Sequence, residues 1–256
     1  MNEIEYTKLL ALAIKATKAA SAEILKIYDS GDFQAEAKGD QSPLTIADKR
    51  AHQLIASILQ PSNLPILSEE GKSIPYEVRK DWEYFWMVDP LDGTKEFIRK
   101  NGEFTVNIAL IKKQTPILGV IGVPVTNEIY YGMKGQGAFM MRDGISTELE
   151  KRNPIDWDKK NIRVIASRSH MTDETQQFIN RLKEPILVSA GSSLKFILLA
   201  VCKADIYPRF GPTMEWDTAA GHAIVNELNL RVVSPDNEMD LKYNKPSLLN
   251  SYFLCL

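Results

Sequence analysis

The sequence predicts a layered α/β protein with two subdomains. Three observations support this fold class: two N-terminal segments have the apolar spacing of helices, the middle of the chain is a series of apolar runs separated by Pro and Gly, and strands alternate with helices beyond residue 160. With 256 residues, the chain can form one large domain or two modest ones. We expect a division into an α+β subdomain, residues 1–150, and an α/β subdomain, residues 151–256.

Two helices open the predicted fold. Apolar residues recur at helical spacing through residues 4–28, and Ser30-Gly31-Asp32 is a sequence that ends a helix. The second helix is expected over residues 45–59, where Thr45 and Asp48 have the spacing of a capping box.

The centre of the chain predicts a largely antiparallel sheet. Its strand segments are rich in aromatic and β-branched residues, and Pro and Gly separate them. We expect these strands at residues 64–67, 84–88, 104–111, 117–123, 129–133 and 138–141. Beyond a polar stretch, residues 142–160, we expect strands at 162–167, 186–189 and 205–207 and helices at 173–182, 193–202 and 218–228.

The composition is that of an ordinary globular protein and argues against polymeric or membrane partners. Hydrophobic residues make up 44% and charged residues 25% of the chain, and the formal net charge is −2. We therefore expect no nucleic-acid polymer as a partner. Because the sequence has no uncharged apolar stretch of about 20 residues, we also expect no transmembrane segment. Neither a disulfide between Cys202 and Cys255 nor a secretory signal is expected. The expected location is the cytoplasm, with peripheral attachment to the inner membrane face as an alternative.

Carboxylates at strand ends and helix starts are the candidate chemical groups. Asp89-Pro90-Leu91-Asp92 follows a buried-looking strand, and Glu69 follows another. Proline favours a tight turn, so Asp89 and Asp92 can converge with the Leu91 carbonyl. Carboxylate and carbonyl oxygens are the ligands that Mg²⁺ prefers. The pattern indicates an oxygen-rich metal site.

Each of these groups also has a purely structural interpretation. Asp92-Gly93 is a common turn sequence, Asp217 can be the N-cap of the helix that follows it, and Asp48 can serve only its capping box. Gly191-Ser192-Ser193 can bind an anion at a helix start or simply cap that helix. The residues alone leave these alternatives open. Residues 132–137 lack GxGxxG spacing, which argues against a dinucleotide-dependent oxidoreductase.

Three motifs together resemble the inositol monophosphatase superfamily of magnesium-dependent, lithium-sensitive phosphatases. They are Glu69-Glu70, Asp89-Pro90-Leu91-Asp92-Gly93-Thr94 and Trp216-Asp217-Thr218-Ala219-Ala220-Gly221. Their order and separation match, and the resemblance covers essentially the whole chain. Further stretches are similar to the bacterial CysQ-type 3′(2′),5′-bisphosphate nucleotidases within that superfamily; these are residues 95–98, 101–110, 167–170, 191–196 and 207–213.

The resemblance implies a fold, a cofactor and residue roles. It implies the αβαβα sandwich of inositol monophosphatase and fructose-1,6-bisphosphatase, with metal-binding motifs in residues 1–150 and a substrate pocket in 151–256. Two or three Mg²⁺ ions would be held by Glu69, Asp89, the Leu91 carbonyl, Asp92 and Asp217. The implied catalytic residues are Asp48, Thr94 and Glu69, with Lys38 and Glu70 as supporting groups. The implied substrate-binding residues are Glu69, Leu91, Asp92, Gly93, Thr94, His170, Ser192, Lys195, Arg209 and Asp217.

The implied reaction is hydrolysis of adenosine 3′(2′),5′-bisphosphate to AMP and phosphate in sulfur assimilation. Hydrolysis of the corresponding 5′-phosphosulfate is a further expectation. An arginine at position 209 suits a second phosphate, because guanidinium binds phosphate bidentately. The alternatives are an inositol-1-phosphatase or fructose-1,6-bisphosphatase and, in a different class, a non-catalytic nucleotide or Mg²⁺ sensor. The partner is expected to be a small nucleotide bisphosphate, and the chain a monomer or homodimer.

Overall fold

The computed structural model describes residues 3–33, 36–37, 43–166 and 171–256. Its helices are α1 (Glu3–Ser30), α2 (Ile46–Leu59), α3 (Tyr76–Arg79), α4 (Thr94–Ile98), α5 (Asp173–Ile179), α6 (Leu194–Ala200) and α7 (Glu215–Asn226). Its strands are β1 (Glu36–Ala37), β2 (Pro43–Leu44), β3 (Ile66–Ser68), β4 (Tyr84–Asp92), β5 (Thr105–Lys112), β6 (Thr115–Val123), β7 (Glu128–Met133), β8 (Gly137–Arg142), β9 (Ile145–Glu148), β10 (Arg163–Ile165), β11 (Ile186–Val188), β12 (Tyr207–Arg209), β13 (Val232–Val233) and β14 (Phe253–Cys255).

A seven-stranded sheet forms the centre of the molecule. Its strand order is β3-β4-β5-β6-β7-β8-β9, with β3 parallel to β4 and every later pair antiparallel. Loops of two to four residues join the strands from β5 to β9, as adjacent antiparallel strands permit, whereas β4 and β5 are connected through α4. The remaining small sheets lie in the second half of the chain, where β10 pairs in parallel with β11 and β14 lies between β12 and β13, and at the β1–β2 pair.

Both faces of the large sheet are covered by helices. On one face, Trp86 and Val88 of β4 belong to an apolar cluster with residues of α1 and α2. On the other, Phe85 and Met87 belong to a cluster with residues of α6 and α7. Because successive side chains of a strand point to opposite faces, burial on both sides explains why β4 is a continuous apolar run instead of an alternating one.

Helix α7 approaches the sheet at glycine positions. A Cβ at Gly119 of β6 would lie 2.2 Å from the Ala220 carbonyl oxygen of α7. A Cβ at Gly221 would lie 2.3 Å from the Phe196 ring of α6. Any side chain at these positions would push α7 away, and Asp217 is in the first turn of that helix.

Most predicted elements are confirmed. Helix α1 ends at Ser30 as expected, and α2 begins after the N-cap Thr45, whose capping box with Asp48 is present. The layered α/β class and the antiparallel centre are also confirmed. In the described parts of the chain, no helix is both long and apolar enough to cross a membrane.

The structure corrects several boundaries. Helix α7 begins at Glu215 and not at residue 218. The polar stretch 142–160 contains β9, whose four residues are all exposed and include one apolar residue, Ile145, so no apolar alternation marks this strand in the sequence. The short α3 and α4 and the C-terminal β13 and β14 were not predicted, because elements of two to five residues are too short to show a period. The division near residue 150 remains a prediction.

Candidate active site

A β-bulge at the end of β4 orients the two acidic side chains of the central motif. Asp89 pairs with Asn107 and Asp92 with Thr105, so three steps along β4 match two along β5. In a regular strand, residues three apart point to opposite faces, and the extra residue of a bulge restores them to the same face. Pro90 is tolerated here because a bulge leaves one residue out of the ladder. Asp89 and Asp92 therefore both face α7.

Three carboxylates meet on this face of the sheet. Oxygen atoms of Glu69, Asp89 and Asp217 all lie within 4.8 Å of one another. Glu69 directly follows β3, and its N–H donates to the Val88 carbonyl at 3.1 Å. Asp217 is the third residue of α7, where its side chain accepts the N–H of Met214 at 2.8 Å. The alternative interpretation of Asp217 as the N-cap is wrong, because the N-cap is Met214 and the helix begins two residues before Asp217.

The cluster fits a hard cation. Burial raises the pKa of Asp89 well above its ordinary value, and the charges of Glu69, Asp92 and Asp217 raise it further. Burial and Asp92 likewise raise the pKa of Asp217. Like charges held this close in a buried site repel one another unless protons or a cation neutralise them. Because all the donors are oxygen atoms, the set suits Mg²⁺, Mn²⁺ or Ca²⁺.

Asp92 lies beside this cluster but outside the group of three. Its Oδ2 accepts the Ser193 hydroxyl at 2.7 Å and the Asn107 amide at 3.3 Å. Burial raises the pKa of Asp92, while hydrogen bonds from Ser193 and the positive charge of Lys195 oppose that rise. The Leu91 carbonyl, which was expected as a ligand, lies 3.3 Å from the Thr94 hydroxyl.

Asp48 joins helix α2 to the site with its two carboxylate oxygens. Oδ2 accepts the Thr45 N–H at 2.7 Å and the Thr45 hydroxyl at 2.6 Å. Oδ1 lies 3.1 Å from the hydroxyl of Thr94, the first residue of α4. Burial raises the pKa of Asp48, and the nearby charge of Glu70 adds to the rise. Capping and contact with Thr94 coexist, so the two interpretations of Asp48 do not exclude each other.

Cationic and acidic side chains line the same cavity. The cavity has a volume of about 590 Å³, and its lining includes Asp92, Asp217, Lys195 and Arg209. The Lys195 ammonium donates to the Ser192 carbonyl at 3.1 Å. Burial lowers the pKa of Lys195, whereas Asp92 raises it. The lining thus holds both signs of charge.

Arg209, one of these cations, has a hydrogen-bond donor that is not used. One of its terminal nitrogens donates to the Pro212 carbonyl at 2.8 Å. Its Nε is buried and has no hydrogen-bond partner among the described residues. A buried donor without a partner is costly, and a guanidinium donates readily to phosphate oxygens. The arrangement suits an anionic ligand.

Comparison with known proteins identifies the family. The sequence model of the inositol monophosphatase family matches residues 5–253. The chain belongs to the inositol monophosphatase family. It is 44% identical over 219 residues to the 3′(2′),5′-bisphosphate nucleotidase CysQ of Salmonella typhimurium, covering 84% of this chain and 86% of the relative. Identity to the protein of the same name from Escherichia coli K12 is 43% with the same coverage.

Solved structures of the inositol monophosphatase family share the fold. CysQ from Bacteroides thetaiotaomicron is 44% identical and superimposes with a TM-score of 0.84 over 96% of each chain. An inositol monophosphatase from Thermotoga maritima, 22% identical, has a TM-score of 0.77 over 96% of this chain and 91% of the other. Members of the family are metal-dependent phosphatases, which agrees with the acidic cluster found here.

The structure gathers most of the site residues expected of a family member. Those that lie around the cluster or the cavity are Asp48, Glu69, Asp89, Leu91, Asp92, Gly93, Thr94, Ser192, Lys195, Arg209 and Asp217. Glu70 lies close enough to Asp48 to raise its pKa. Lys38 and His170 lie outside the described residues. The functional roles of all these residues remain predictions.

One buried polar residue of the site, Asn107, is not singled out by the sequence, and a second, Ser193, is considered there only as part of an anion site or helix cap. Asn107 and Ser193 are 1% and 2% exposed and both contact Asp92. Asn107 has a sequence signal, since it is an amide within the apolar run Thr105–Lys112. Ser193 stands at the N-cap position of α6, but its side chain makes no capping hydrogen bond and contacts Asp92 instead.

Proposed function

We infer that this chain is a metal-dependent 3′(2′),5′-bisphosphate nucleotidase of sulfur assimilation, which hydrolyses adenosine 3′,5′-bisphosphate to AMP and phosphate. Relatives carrying that name are 43% and 44% identical over 84% of the chain. The structural observation that supports this assignment is the meeting of Asp92 and Asp217 with Lys195 and Arg209 in one cavity.

We propose Mg²⁺ as the cofactor, with two or three ions. The ligands would be Glu69, Asp89, Asp92, Asp217 and the Leu91 carbonyl. When bound, Mg²⁺ would neutralise the phosphate monoester and lower the pKa of a water molecule. The all-oxygen donor set supports this choice, and the raised pKa values of Asp89 and Asp217 mark a site whose charge needs compensation.

Asp48 and Thr94 are proposed to orient the attacking water and to take its proton. With its hydrogen directed to Asp48 Oδ1, the Thr94 hydroxyl can accept a hydrogen bond from water. As the water oxygen bonds to phosphorus and the ester P–O bond breaks, the water proton passes to Thr94 Oγ and the Thr94 proton to Asp48 Oδ1. The departing 3′-oxygen leaves with AMP and takes up a proton from solvent water. Asp48 Oδ2 already accepts two donors from Thr45, so Oδ1 is the oxygen left for that proton.

The retained phosphate is proposed to bind Lys195 and Arg209, with His170 and Ser192 as further hydrogen-bond donors. The unpartnered Nε of Arg209 supports an anion at this position. A second cavity of about 290 Å³ shares Lys195, Tyr207 and Arg209 with the first and is otherwise lined mainly by apolar groups such as Phe210 and Pro212. It offers room for a nucleobase beyond the phosphate, which an inositol phosphate does not need.

A substrate panel tests the assignment. Phosphate release from adenosine 3′,5′-bisphosphate, its 5′-phosphosulfate analogue, inositol-1-phosphate and fructose-1,6-bisphosphate would be measured with Mg²⁺, with and without Li⁺. We expect the highest kcat/KM with the nucleotide bisphosphate, and inhibition by Li⁺. A clear preference for the inositol ester would assign the chain to that branch of the family. Nucleotide binding without any turnover would indicate a sensor.

Location and assembly are further proposals. We propose a cytoplasmic protein, because Cys202 and Cys255 are both free thiols, as is common in reducing compartments. A monomer or a homodimer is expected, and light scattering of the purified protein distinguishes them. We also propose that residues 1–150 and 151–256 form the two subdomains, with metal-binding motifs in the first and substrate contacts in the second.

A further inference from the structure

A closed group of three hydrogen-bonding atoms lies behind Asp92. The Asn107 amide nitrogen is 2.8 Å from the Ser193 hydroxyl and 3.3 Å from Asp92 Oδ2, and the Ser193 hydroxyl is 2.7 Å from the same Oδ2. Asn107 and Ser193 are almost completely buried. The hydroxyl also lies 2.8 Å from the Asp217 backbone carbonyl. The group therefore touches β4, β5, the start of α6 and the first turn of α7.

The number of hydrogens on each side chain determines which hydrogen bonds it can donate. The Asn107 amide has two hydrogens, one for Ser193 Oγ and one for Asp92 Oδ2. Ser193 Oγ accepts from Asn107 and has a single hydrogen, which goes to Asp92 Oδ2 or to the Asp217 carbonyl. Both side-chain donors thus converge on Oδ2. The Ser193 N–H adds a backbone hydrogen bond to the same carboxylate. Because the side-chain donors occupy Oδ2, Oδ1 is the oxygen that they leave for a cation.

The Asn107 side chain has a cost that packing does not explain. Its own Oδ1 is buried without a hydrogen-bond partner among the described residues. An unsatisfied buried amide oxygen destabilises the fold relative to an apolar side chain of similar size. Asn107 also lies opposite Asp89 in the β4–β5 ladder, on the strand face that carries the carboxylates. An amide at this position suits the orientation of Asp92 better than it suits the core.

We propose that Asn107 and Ser193 form a positioning pair, which holds Asp92 so that it presents a single carboxylate oxygen to the metal site and which ties it to the helix carrying Asp217. The pair contacts neither substrate nor ion; it acts through Asp92. The inference rests on the proposed function, because it requires that Asp92 is a cation ligand. Outer groups of this kind orient ligands, and their loss lowers metal affinity.

Mn²⁺ binding provides a test that does not depend on turnover. Free Mn²⁺ would be measured by electron paramagnetic resonance for the full chain and for Asn107→Leu, Ser193→Ala and the double variant. We expect each single variant to weaken Mn²⁺ binding by about 10- to 100-fold. The double variant should lose little more than the worse single one, because both act on the same oxygen. Thermal unfolding without metal should show Asn107→Leu at least as stable as the unchanged chain.

Thr105→Val is the matched control. Thr105 is fully buried two residues before Asn107 on the same strand face, and its hydroxyl has no partner among the described residues. We expect unchanged Mn²⁺ affinity for this isosteric variant. If Asn107→Leu and Ser193→Ala bind Mn²⁺ as tightly as the unchanged chain, the inference is wrong. A lower metal-free stability of these variants, with unchanged Mn²⁺ affinity, would then indicate a packing role. If Asn107→Leu does not fold, Ser193→Ala decides. An unchanged chain that binds no Mn²⁺ would instead overturn the proposed function and the inference with it.

Discussion

The Thr94 hydroxyl lies 3.1 Å from Asp48 Oδ1, although the two residues are 46 positions apart in the chain. The same carboxylate caps α2 through its other oxygen. A buried capping residue has little freedom to rotate, because a rotation would break its hydrogen bonds to Thr45. The start of α2 therefore fixes the direction from which Asp48 receives a proton.

This relationship predicts different outcomes for two changes at Thr94. Thr94→Val keeps the shape but removes the hydroxyl, so we expect kcat to fall by about 10²- to 10⁴-fold, the usual contribution of a positioned proton-transfer group. KM should change little, because the hydroxyl is not proposed to hold the retained phosphate. Thr94→Ser keeps the hydroxyl and is the control. Steady-state phosphate release measures both, and an unchanged kcat in Thr94→Val would remove Thr94 from the mechanism.

The crowded carboxylates predict opposite effects of Asp89→Asn on stability and metal response. Asparagine keeps an acceptor for the Leu91 N–H, which lies 3.1 Å from Asp89 Oδ1, and removes one charge from the cluster. We expect the metal-free protein to unfold at a higher temperature, by about 2–4 °C for each kcal/mol of repulsion relieved. Adding Mg²⁺ should stabilise the unchanged chain but not the variant. Equal stabilisation of both by Mg²⁺ would place the cation elsewhere.

The position of Arg209 predicts that its removal lowers kcat/KM by an amount that depends on the substrate. Removing a charged hydrogen-bond donor from a buried anion costs about 1.5–3 kcal/mol, or roughly 10- to 100-fold in kcat/KM. We expect that loss in Arg209→Ala for adenosine 3′,5′-bisphosphate but not for 3′-AMP, which lacks the second phosphate.

Arg231→Ala serves as the control for charge. Arg231 is exposed and paired with Asp240 at 2.8 Å, and it does not line the active-site cavity. An equal loss of kcat/KM in Arg209→Ala with both substrates would show that Arg209 does not bind the second phosphate.

The close contact of α7 with the sheet predicts a large effect of a single methyl group. Gly119→Ala would place Cβ 2.2 Å from a backbone oxygen of α7, which cannot move without the helix. We expect destabilisation of about 1–3 kcal/mol or more, together with weaker metal binding because Asp217 moves with α7. Gly211→Ala is the control, since its added Cβ would meet its nearest neighbour at 3.8 Å. Denaturant unfolding compares the two, and equal stability would contradict the contact.

His222 predicts a pH dependence of stability. Burial lowers the pKa of His222 to about 4, from a usual value of 6.5. As pH falls from about 6.5 to about 4, the unfolded chain takes up a proton that the folded chain does not, so this group makes folding less favourable. The loss is on the order of 3 kcal/mol across that window, and none is expected above it.

The variant His222→Gln isolates this contribution. The Gln amide can replace the ring nitrogen that lies 2.9 Å from the Tyr243 hydroxyl. Urea unfolding at pH 7 and pH 4.5 should show a smaller difference between the two pH values than in the unchanged chain. His52→Gln is the comparison: burial lowers the pKa of this partly buried histidine as well, but the charge of Glu70 opposes the shift, so we expect a smaller change than in His222→Gln. An unchanged difference in His222→Gln would mean that His222 is not kept neutral by the fold.

The sequence predicted the long elements well, because α1, α2 and β4 to β8 have clear periods or continuous apolar runs. It placed Asp89 and Asp92 directly after a strand ending at residue 88, whereas β4 continues to Asp92. It could not show that a bulge puts both on one face, since a bulge is a matter of register between two strands. The contact of Ser193 with Asp92 could not be foreseen for a similar reason: it depends on α6, β5 and α7 meeting in space, which no local pattern encodes.

Because of the bulge, the site depends on the number of residues between Asp89 and Asp92 as well as on their identity. The face that the second carboxylate takes depends on the two residues between Asp89 and Asp92 being two in number. Removing or adding one residue there would turn Asp92 toward α1 and α2, into a region filled by Leu91 and Val88. Relatives or designed variants that share this chemistry are therefore expected to vary in the identity of the bulged residues long before they vary in their number.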